Sequence, residues 1–336
     1  MTGLAATDDH GGFTGLRRFD VRHDLDAVAR LIDITFAEEM AVVGGFGEDS
    51  IRSLSRYVPL VWATSLFSRR FRDIFVGFVW EVDGEIVGNA SVSRLGGDAK
   101  RWMIGNVAVH PSYRRRHIAR RLTWAAVEFI RESGGRWAFL DVRHDNHAAY
   151  NLYLDMGFHK IDSYMEMRLD RIPPVTFVSS ADRTIRRSRA GDWQGLYDLA
   201  CATTPQGVQA VMPVRKEDFC SNPVAEVVGA LQSLLGLSRK ERHVMEVGGV
   251  IVGALEITLP GSSHPCRFSL TTLPALSTNQ IDELIRFALS RVKPKRGRIV
   301  IAEVSTGNVP AIEVLTKHGF VEARTLHRFV REIVPT

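Results

Sequence analysis

Cysteine is scarce in this sequence. Its 336 residues include only Cys201, Cys220 and Cys266, and no two of them form a CxxC pair. An odd number without metal-ligand spacing argues against both a disulfide framework and a zinc site. Lone cysteines usually behave as small hydrophobic residues. We therefore expect a cytoplasmic protein, in a reducing compartment, without a metal site.

Long apolar runs and strong net charge are missing too. No run of about 18 apolar residues occurs, so no membrane span is expected. The net charge of +5 suits an anionic ligand but is no signature of nucleic-acid binding. A hydrophobic content of 45% is that of a globular protein, and 336 residues are enough for two domains. Residues 1–15 contain acidic residues and glycines, which indicates a mobile tail rather than a signal peptide.

One stretch, Asn106 to Leu122, reads as strand, turn, basic loop and helix. Alternating residues around Val107 and Val109 predict a half-buried strand, which Pro111 ends. Apolar residues recur at helical spacing from Ile118 onwards. A helix start offers unpaired N–H groups and the positive end of the helix dipole, so it favours an anion. Four cationic or titratable residues lie just before this point: Arg114, Arg115, Arg116 and His117.

This segment resembles the pyrophosphate-binding loop of the GNAT acetyltransferase superfamily, whose pattern is (Q/R)-x-x-G-x-(G/A). Arg114 takes the first place and Ala119 the last. His117 stands where the family usually has its first glycine. Glycine lets backbone amides approach phosphates closely. We therefore expect the Cβ of His117 either to obstruct this approach or to require a specific backbone φ. The alternative is a solvated basic helix start.

A second segment, Asp145 to Phe158, resembles the family's N-x-x-A-x-x-L-Y-x-x-x-G-F motif. The matching positions are Asn146, Ala149, Leu152, Tyr153, Gly157 and Phe158. The two motifs occur in the family's order, with predicted strands where the family has them. The resemblance implies an α/β (α+β) fold, in which a mixed, mostly antiparallel sheet is flanked by helices.

The pattern restarts in the second half of the chain, which predicts two tandem GNAT-like domains. We expect a mobile tail at 1–15, a catalytic domain at 16–172, a linker at 173–183 and a degenerate copy at 184–336. Asn308–Phe320 repeats the Asn146 segment, but Leu315 stands in the place of Tyr153. No arginine cluster occurs between Phe268 and Ile281. The second copy is therefore expected to be inert, and the chain to be a monomer that behaves as a pseudo-dimer.

The resemblance implies acetyl-CoA as acyl donor and Tyr153 as the general acid for the leaving thiolate. A core tyrosine is the alternative for Tyr153, and Tyr150 is the second candidate. Asn146 is expected to cap a helix, to contact CoA, or both. The cofactor-binding residues implied are Val107, Val109, Arg114, Arg115, Arg116, His117, Ile118, Ala119, Arg120 and Asn146.

The acceptor is expected to be an amine, on a small molecule or a peptide. A general base is not identified by the sequence; the candidates are Glu38, Glu39, Asp141 and His144. One alternative is a noncatalytic acyl-CoA sensor or scaffold. Another is a nucleic-acid-binding module that uses the basic loop, but the loop lacks interleaved aromatic residues. We expect neither nucleic acid nor membrane as partner.

Overall fold

The structure, a computed structural model, describes residues 6–7, 13–43, 76–95, 98–173, 175, 177, 183–220, 238–260, 265–292 and 298–334. The predicted second helix at 49–67 and the preceding glycines at 44–47 lie outside these residues. The described residues form two compact units. Unit 1 takes those within 1–41, 45–160 and 328–336, and unit 2 those within 42–44 and 161–327.

Unit 1 is built from a sheet and three helices. Its strands are β1 Ala6–Thr7, β2 Phe13–Arg18, β3 Val76–Val82, β4 Glu85–Arg94, β5 Arg101–Val109 and β6 Trp137–Arg143. Its helices are α1 Leu25–Val43, α2 Ile118–Glu132 and α3 His147–Asp155. Strands β1 to β5 pair antiparallel in chain order, and β6 runs parallel to β5.

Unit 2 repeats this order. Its strands are β7 His159–Leu169, β8 Arg183–Arg187, β9 Ser238–Val247, β10 Val250–Pro260, β11 Cys266–Thr272, β12 Val300–Ser305 and β13 Val321–Glu332. Its helices are α4 Trp193–Thr203, α5 Gln206–Val211, α6 Thr278–Arg291 and α7 Val309–Lys317. Strands β8 to β11 are antiparallel, and β12 is parallel to β11. The prediction of mixed, mostly antiparallel strand pairing flanked by helices is confirmed in each unit.

The same glycine contact fixes a helix on the sheet in each unit. A Cβ added at Gly88 of β4 would lie 2.8 Å from Ile118 Cγ2 of α2. A Cβ added at Gly253 of β10 would lie 2.9 Å from Leu284 Cδ1 of α6. Only glycine allows so close an approach, and each helix buries its apolar face at this point.

A partly buried ion triad is also present in both units. In unit 1, Arg17 Nη1 lies 2.6 Å from Asp24 Oδ2, and its Nε lies 2.6 Å from Glu81 Oε2. In unit 2, Arg186 is 2.7 Å from both Asp192 and Glu246. Each triad joins the first long strand, the following helical turn and the next strand. Such a shared arrangement supports a duplicated domain.

Most of β7, the last strand of the first half, lies in unit 2, and the end of β13 lies in unit 1. Residues 161–169 of β7 pair with β12 inside unit 2, where Met167 and Leu169 enter the core. Residues 328–332 of β13 belong to unit 1, where Phe329 enters the core. The domain boundaries at 172 and 184 stay a prediction, and the two packing units divide the chain at other points.

The amino-terminal segment is partly ordered into strand. Ala6 and Thr7 pair with Thr14 and Phe13, and β2 begins at Phe13 rather than near Leu16. The described residues 6–7 and 13–14 thus pair as strands, and a mobile tail over residues 1–15 stays a prediction. No helix among the residues described here is both long and apolar enough to cross a membrane.

Candidate active site

Strand β5 contains a bulge opposite β4. Asn89 pairs with Ala108 and Ser91 with Gly105, so β5 carries one extra residue between these pairs. Asn106 lies at this point with φ of 49°, in the left-handed region. Asparagine tolerates that region better than most residues, and left-handed residues are typical of one class of bulge.

Side chains of β4 hold the bulge in place. Asn89 Nδ2 donates to the Asn106 carbonyl at 2.9 Å, and Asn89 is 3% exposed. Ser91 Oγ donates to the Gly105 carbonyl at 2.9 Å. Asn106 Nδ2 in turn donates to Ser91 Oγ at 3.2 Å. Two successive carbonyls of β5 thus accept hydrogen bonds from β4 side chains.

Strands β5 and β6 separate next to the bulge. Their parallel pairing, in a region described throughout, is confined to Arg101–Met103 with Trp137–Phe139. The later part of β5, which includes Val107 and Val109, has no β6 partner. An unpaired strand edge of this kind can pair with an extended amide-containing ligand. The two strands therefore leave a cleft at the end of β5.

The basic loop connects β5 to α2. A 3-10 turn over Pro111–Tyr113 ends β5, and α2 begins at Ile118, which is buried. His117 is the N-cap residue, with φ of 59° and no side-chain capping hydrogen bond. The glycine of the family's pattern thus corresponds to a left-handed residue here, which explains the glycine. His117 adopts this conformation despite its Cβ, so the position requires the specific φ that the sequence suggested.

The loop's cations surround the start of α2. Arg114, Arg115, Arg116 and His117 lie at its surface, and Arg115 is also left-handed, with φ of 64°. Arg114 Nε donates to the Val109 carbonyl at 3.4 Å, and Arg116 lies over the Tyr113 ring at 5.0 Å. Arg120 forms an ion pair with Asp155 of α3 at 3.0 Å. The first turn of α2 thus offers amides and exposed guanidinium groups to an anion.

Helix α3 brings Tyr153 against α2. Asn146 caps α3 by accepting from the Ala149 N–H at 3.1 Å. Tyr153 is 5% exposed, and burial raises the pKa of its hydroxyl while a hydrogen bond with Thr123 acts in the opposite direction. Thr123 lies one turn after Ala119 of the basic-loop motif, to whose carbonyl its hydroxyl donates at 2.8 Å. The two motifs therefore meet in unit 1.

Of the candidate bases, Asp141 and Glu39 are held in ion pairs. Arg328 donates to both oxygens of Asp141, at 2.9 and 3.0 Å. Arg143 lies 3.4 Å from Glu39. Glu38 and His144 are exposed. The bidentate pair favours a structural role for Asp141, and the geometry does not single out a base.

Unit 2 lacks the bulge, the basic loop and the tyrosine at the corresponding positions. Ladder β10–β11 runs from Gly253 with Thr272 to Thr258 with Arg267 without a register shift. Helix α6 starts with a capping box, in which Ser277 accepts from the Gln280 N–H. Leu315, in the place of Tyr153, is fully buried. Asn308 Nδ2 donates to Thr272 Oγ1 at 2.9 Å and so ties α7 to the end of β11.

We also searched the described residues for side chains that could ligate a metal ion. Within the described ranges, no group of three or more His, Cys, Asp or Glu side chains is placed to hold a metal ion.

Sequence reasoning missed the residues that form the bulge. Asn106 was taken as an ordinary strand residue, and Asn89 and Ser91 were given no role. A signal was present, since Gly105–Asn106 joins the residues that best tolerate left-handed backbone inside a strand. Periodicity alone cannot show which side chains on the next strand hold a bulge.

Comparison with protein families gives a match over part of the chain. A model described as the acetyltransferase (GNAT) family matches residues 49–158, which include the basic loop and the Asn146 motif.

Curated relatives match part of the chain. It is 32% identical to N-alpha-acetyltransferase RimI of Mycobacterium tuberculosis over 133 residues, which are 39% of this chain and 77% of the relative. It is 35% identical to a putative [ribosomal protein bS18]-alanine N-acetyltransferase of Bacillus subtilis over 79 residues, 24% of this chain and 50% of the relative.

Solved structures match nearly the whole chain. A GCN5-related N-acetyltransferase from Sphaerobacter thermophilus gives a TM-score of 0.63 at 16% identity, over 95% of this chain and 96% of that one. A tandem GNAT protein from the clavulanic acid biosynthesis pathway gives 0.59 at 15% identity, over 96% and 99%. Likeness at these identities shows the fold, with its tandem arrangement.

Proposed function

Because the chain belongs to the GNAT acetyltransferase family, we propose that unit 1 transfers an acetyl group directly from acetyl-CoA to an amine. The observation that carries this proposal is the cleft at the end of β5. There an open strand edge runs into a helix start surrounded by exposed arginines. One end of the cleft suits an amide-containing chain, and the other suits a pyrophosphate.

The residues present fit this donor. The first-turn amides of α2 and the side chains of Arg114, Arg115, Arg116 and Arg120 would hold the pyrophosphate. The free edge of β5 at Val107 and Val109 would pair with the pantetheine amides. The side-chain oxygen of Asn146 accepts the capping hydrogen bond of α3, so its side-chain amide nitrogen would be the group that contacts a ligand.

The transfer needs a stabilised oxyanion and a protonated leaving group. The amine nitrogen bonds to the acetyl carbon, the carbon–sulfur bond breaks, and the amine loses a proton to solvent or to a base. A backbone N–H of β5 between Val107 and Val109 would stabilise the oxyanion. Tyr153 would donate its hydroxyl proton, or a hydrogen bond, to the thiolate sulfur. Burial raises the pKa of the hydroxyl, so the proton is present at neutral pH.

For the acceptor we propose the α-amino group of a peptide. The support is the similarity to RimI, named as an N-alpha-acetyltransferase, and to a relative named for the alanine of ribosomal protein bS18. A panel of peptides with different first residues, compared with polyamines, aminoglycosides and free amino acids, tests this. Turnover confined to small-molecule amines would contradict the peptide assignment without affecting acetyl transfer.

Calorimetry and thiol release together test the core proposal. CoA should bind clearly more tightly than dephosphorylated pantetheine, because only CoA carries the pyrophosphate. Equal affinity would contradict the role of the basic loop. Tight binding without thiol release for any amine would favour the noncatalytic sensor instead.

We also propose that unit 2 is catalytically inert. Its helix start is closed by a capping box, Leu315 offers no proton, and the Asn308–Thr272 bond ties the end of β11 to α7. CoA should then saturate at one equivalent per chain. Two equivalents, reduced to one by changes between Thr271 and Ser277, would show a second working site.

A further inference from the structure

Asn89 in unit 1 corresponds to an alanine in unit 2, and the next strand along the chain is bulged only in unit 1. Gly88 and Gly253 are equivalent positions, since each lets a helix approach the sheet. The next residue is Asn89 in unit 1 and Ala254 in unit 2. Beside Asn89 the ladder is bulged and Asn106 is left-handed. Beside Ala254 it is regular, and no residue of β11, which is described throughout, has a positive φ.

The Asn89 hydrogen bond fixes the direction of one peptide group. Its amide holds the Asn106 carbonyl at 2.9 Å. A trans peptide is planar, so the carbonyl and the following N–H point in opposite directions. The Val107 N–H must therefore point away from Asn89 and β4. The other side of β5 is the side that β6 has left open.

We infer that Asn89 is a positioning residue, which aims the Val107 N–H into the cleft to receive the thioester oxygen. This inference rests on the proposed function, and it names the residue that presents the oxyanion donor. Asn89 does not touch the reacting atoms. Its burial keeps water from competing for the Asn106 carbonyl.

Asn106 supplies the backbone conformation that this arrangement needs. A left-handed residue at the bulge makes two successive carbonyls available to Asn89 and Ser91. Glycine would adopt the same φ without strain, whereas a β-branched residue would resist it. The side chain of Asn106 donates one hydrogen bond to Ser91. This hydrogen bond is not needed for the backbone conformation that Asn106 supplies.

The first experiment compares Asn89→Asp with Asn308→Asp. Each replaces an amide donor by an isosteric carboxylate, one beside β5 and the other beside β11 in unit 2. Asn89→Asp should lower kcat by about 10- to 100-fold, since small misplacements of reacting groups cost up to ~10²-fold. The affinity of the folded variant for CoA, which has no thioester oxygen, should stay near wild type. Asn308→Asp should keep the wild-type kcat.

The pH profile separates positioning from a general loss of structure. In the Asn89→Asp variant, the protonated form of the new carboxyl group can donate to the Asn106 carbonyl, whereas the carboxylate cannot. The kcat of Asn89→Asp relative to wild type should therefore rise as pH falls. A damaged fold would show no such recovery.

A second pair decides the matter if Asn89→Asp does not fold. Asn106→Gly should keep kcat within about threefold of wild type, because glycine adopts a left-handed φ freely. Asn106→Val should lose kcat while it keeps CoA affinity. Wild-type kcat in both Asn89→Asp and Asn106→Val would overturn the inference alone. An inactive wild-type protein would instead overturn the proposed function, and the inference with it.

Discussion

Tyr153 is the residue on which the proposed chemistry can be tested most directly. Burial raises the pKa of its hydroxyl, and its ring packs at 5.9 Å from the ring of Phe158. Tyr153→Phe keeps the ring and removes the proton, so folding and CoA affinity should survive. We expect turnover to fall by about 10²–10⁴-fold, the usual contribution of a general acid.

Steady-state and single-turnover kinetics measure this loss. Single-turnover rates are needed because slow product release can hide a change in chemistry. The raised pKa also predicts that kcat of the wild type shows no loss from tyrosine ionisation up to about pH 10, where an unperturbed tyrosine would titrate. An unchanged single-turnover rate in Tyr153→Phe would assign the side chain to the core alone.

His117 carries conformational strain that glycine would relieve. Its φ of 59° costs a residue with a Cβ about 1 kcal/mol or more. Replacement by glycine should raise the free energy of unfolding by about 1 kcal/mol relative to replacement by alanine, and CoA affinity should be kept in both. Urea unfolding compares the two variants. The strain assignment is wrong if the alanine variant is the more stable.

At the residue scale, the sequence predicted which residues form the two motifs better than it predicted their backbone conformation. The motif placed Arg114, Ala119, Asn146 and Tyr153, and the structure brings the two motifs together in unit 1. It could not predict that Asn106 is left-handed inside a strand, because period-2 patterning is blind to φ. The roles of the motif residues in binding and catalysis stay predictions.

The ion triads act at the scale of elements, since each ties a strand to a helical turn and to the next strand. Hydrogen bonding from Arg186 lowers the pKa of Asp192. For Asp24, burial opposes ionisation, but hydrogen bonds from Arg17 and the Asp20 N–H outweigh it, so its pKa is also lowered.

Acid should therefore destabilise both units through these carboxylates. A depressed pKa contributes stability above the unfolded value of about 3.9, and the contribution is lost as pH falls through the folded value. Urea midpoints at pH 7 and pH 3 measure the loss. Arg17→Met and Arg186→Met should be less stable at pH 7 but lose less between pH 7 and pH 3. Equal losses in variants and wild type would show that other groups dominate.

Element boundaries followed from local rules where local rules decide. The start of α2 at Ile118 and the Asn146 cap agree with the prediction because each depends on neighbouring residues. The choice of a strand's pairing partner does not follow from such local rules. Nothing in β7 shows that residues 161–169 pair with β12 rather than complete the first copy.

For the whole molecule, the exchange of the end of β13 into unit 1 assigns part of the second half's sequence to that unit. Phe329 is fully buried in the unit 1 core, with its ring 5.1 Å from that of Tyr150. Phe329→Ala should cost about 3–5 kcal/mol, as for other buried phenylalanines. The damage should appear in unit 1, as lower CoA affinity and faster hydrogen exchange in β6 and α3.

Phe268→Ala is the matched control. Phe268 is buried in unit 2, where its ring lies 6.0 Å from that of Phe320. Its loss should speed exchange in β11 and α7 and leave CoA affinity unchanged. Faster exchange of unit 2 alone in Phe329→Ala would contradict the exchanged strand.

The exchanged end of β13 also has a consequence for synthesis on the ribosome. At the edge of β6, Arg328 donates a hydrogen bond to Asp141, and the Ile333 N–H donates to the Arg136 carbonyl. These residues are translated long after β6, with a delay on the order of ten seconds or more at about 5–20 residues per second. During that interval the nascent first half exposes an open strand edge, which is a template for wrong pairing. Unit 1 should therefore acquire its native fold only after translation has passed residue 333, and depend on chaperones until then.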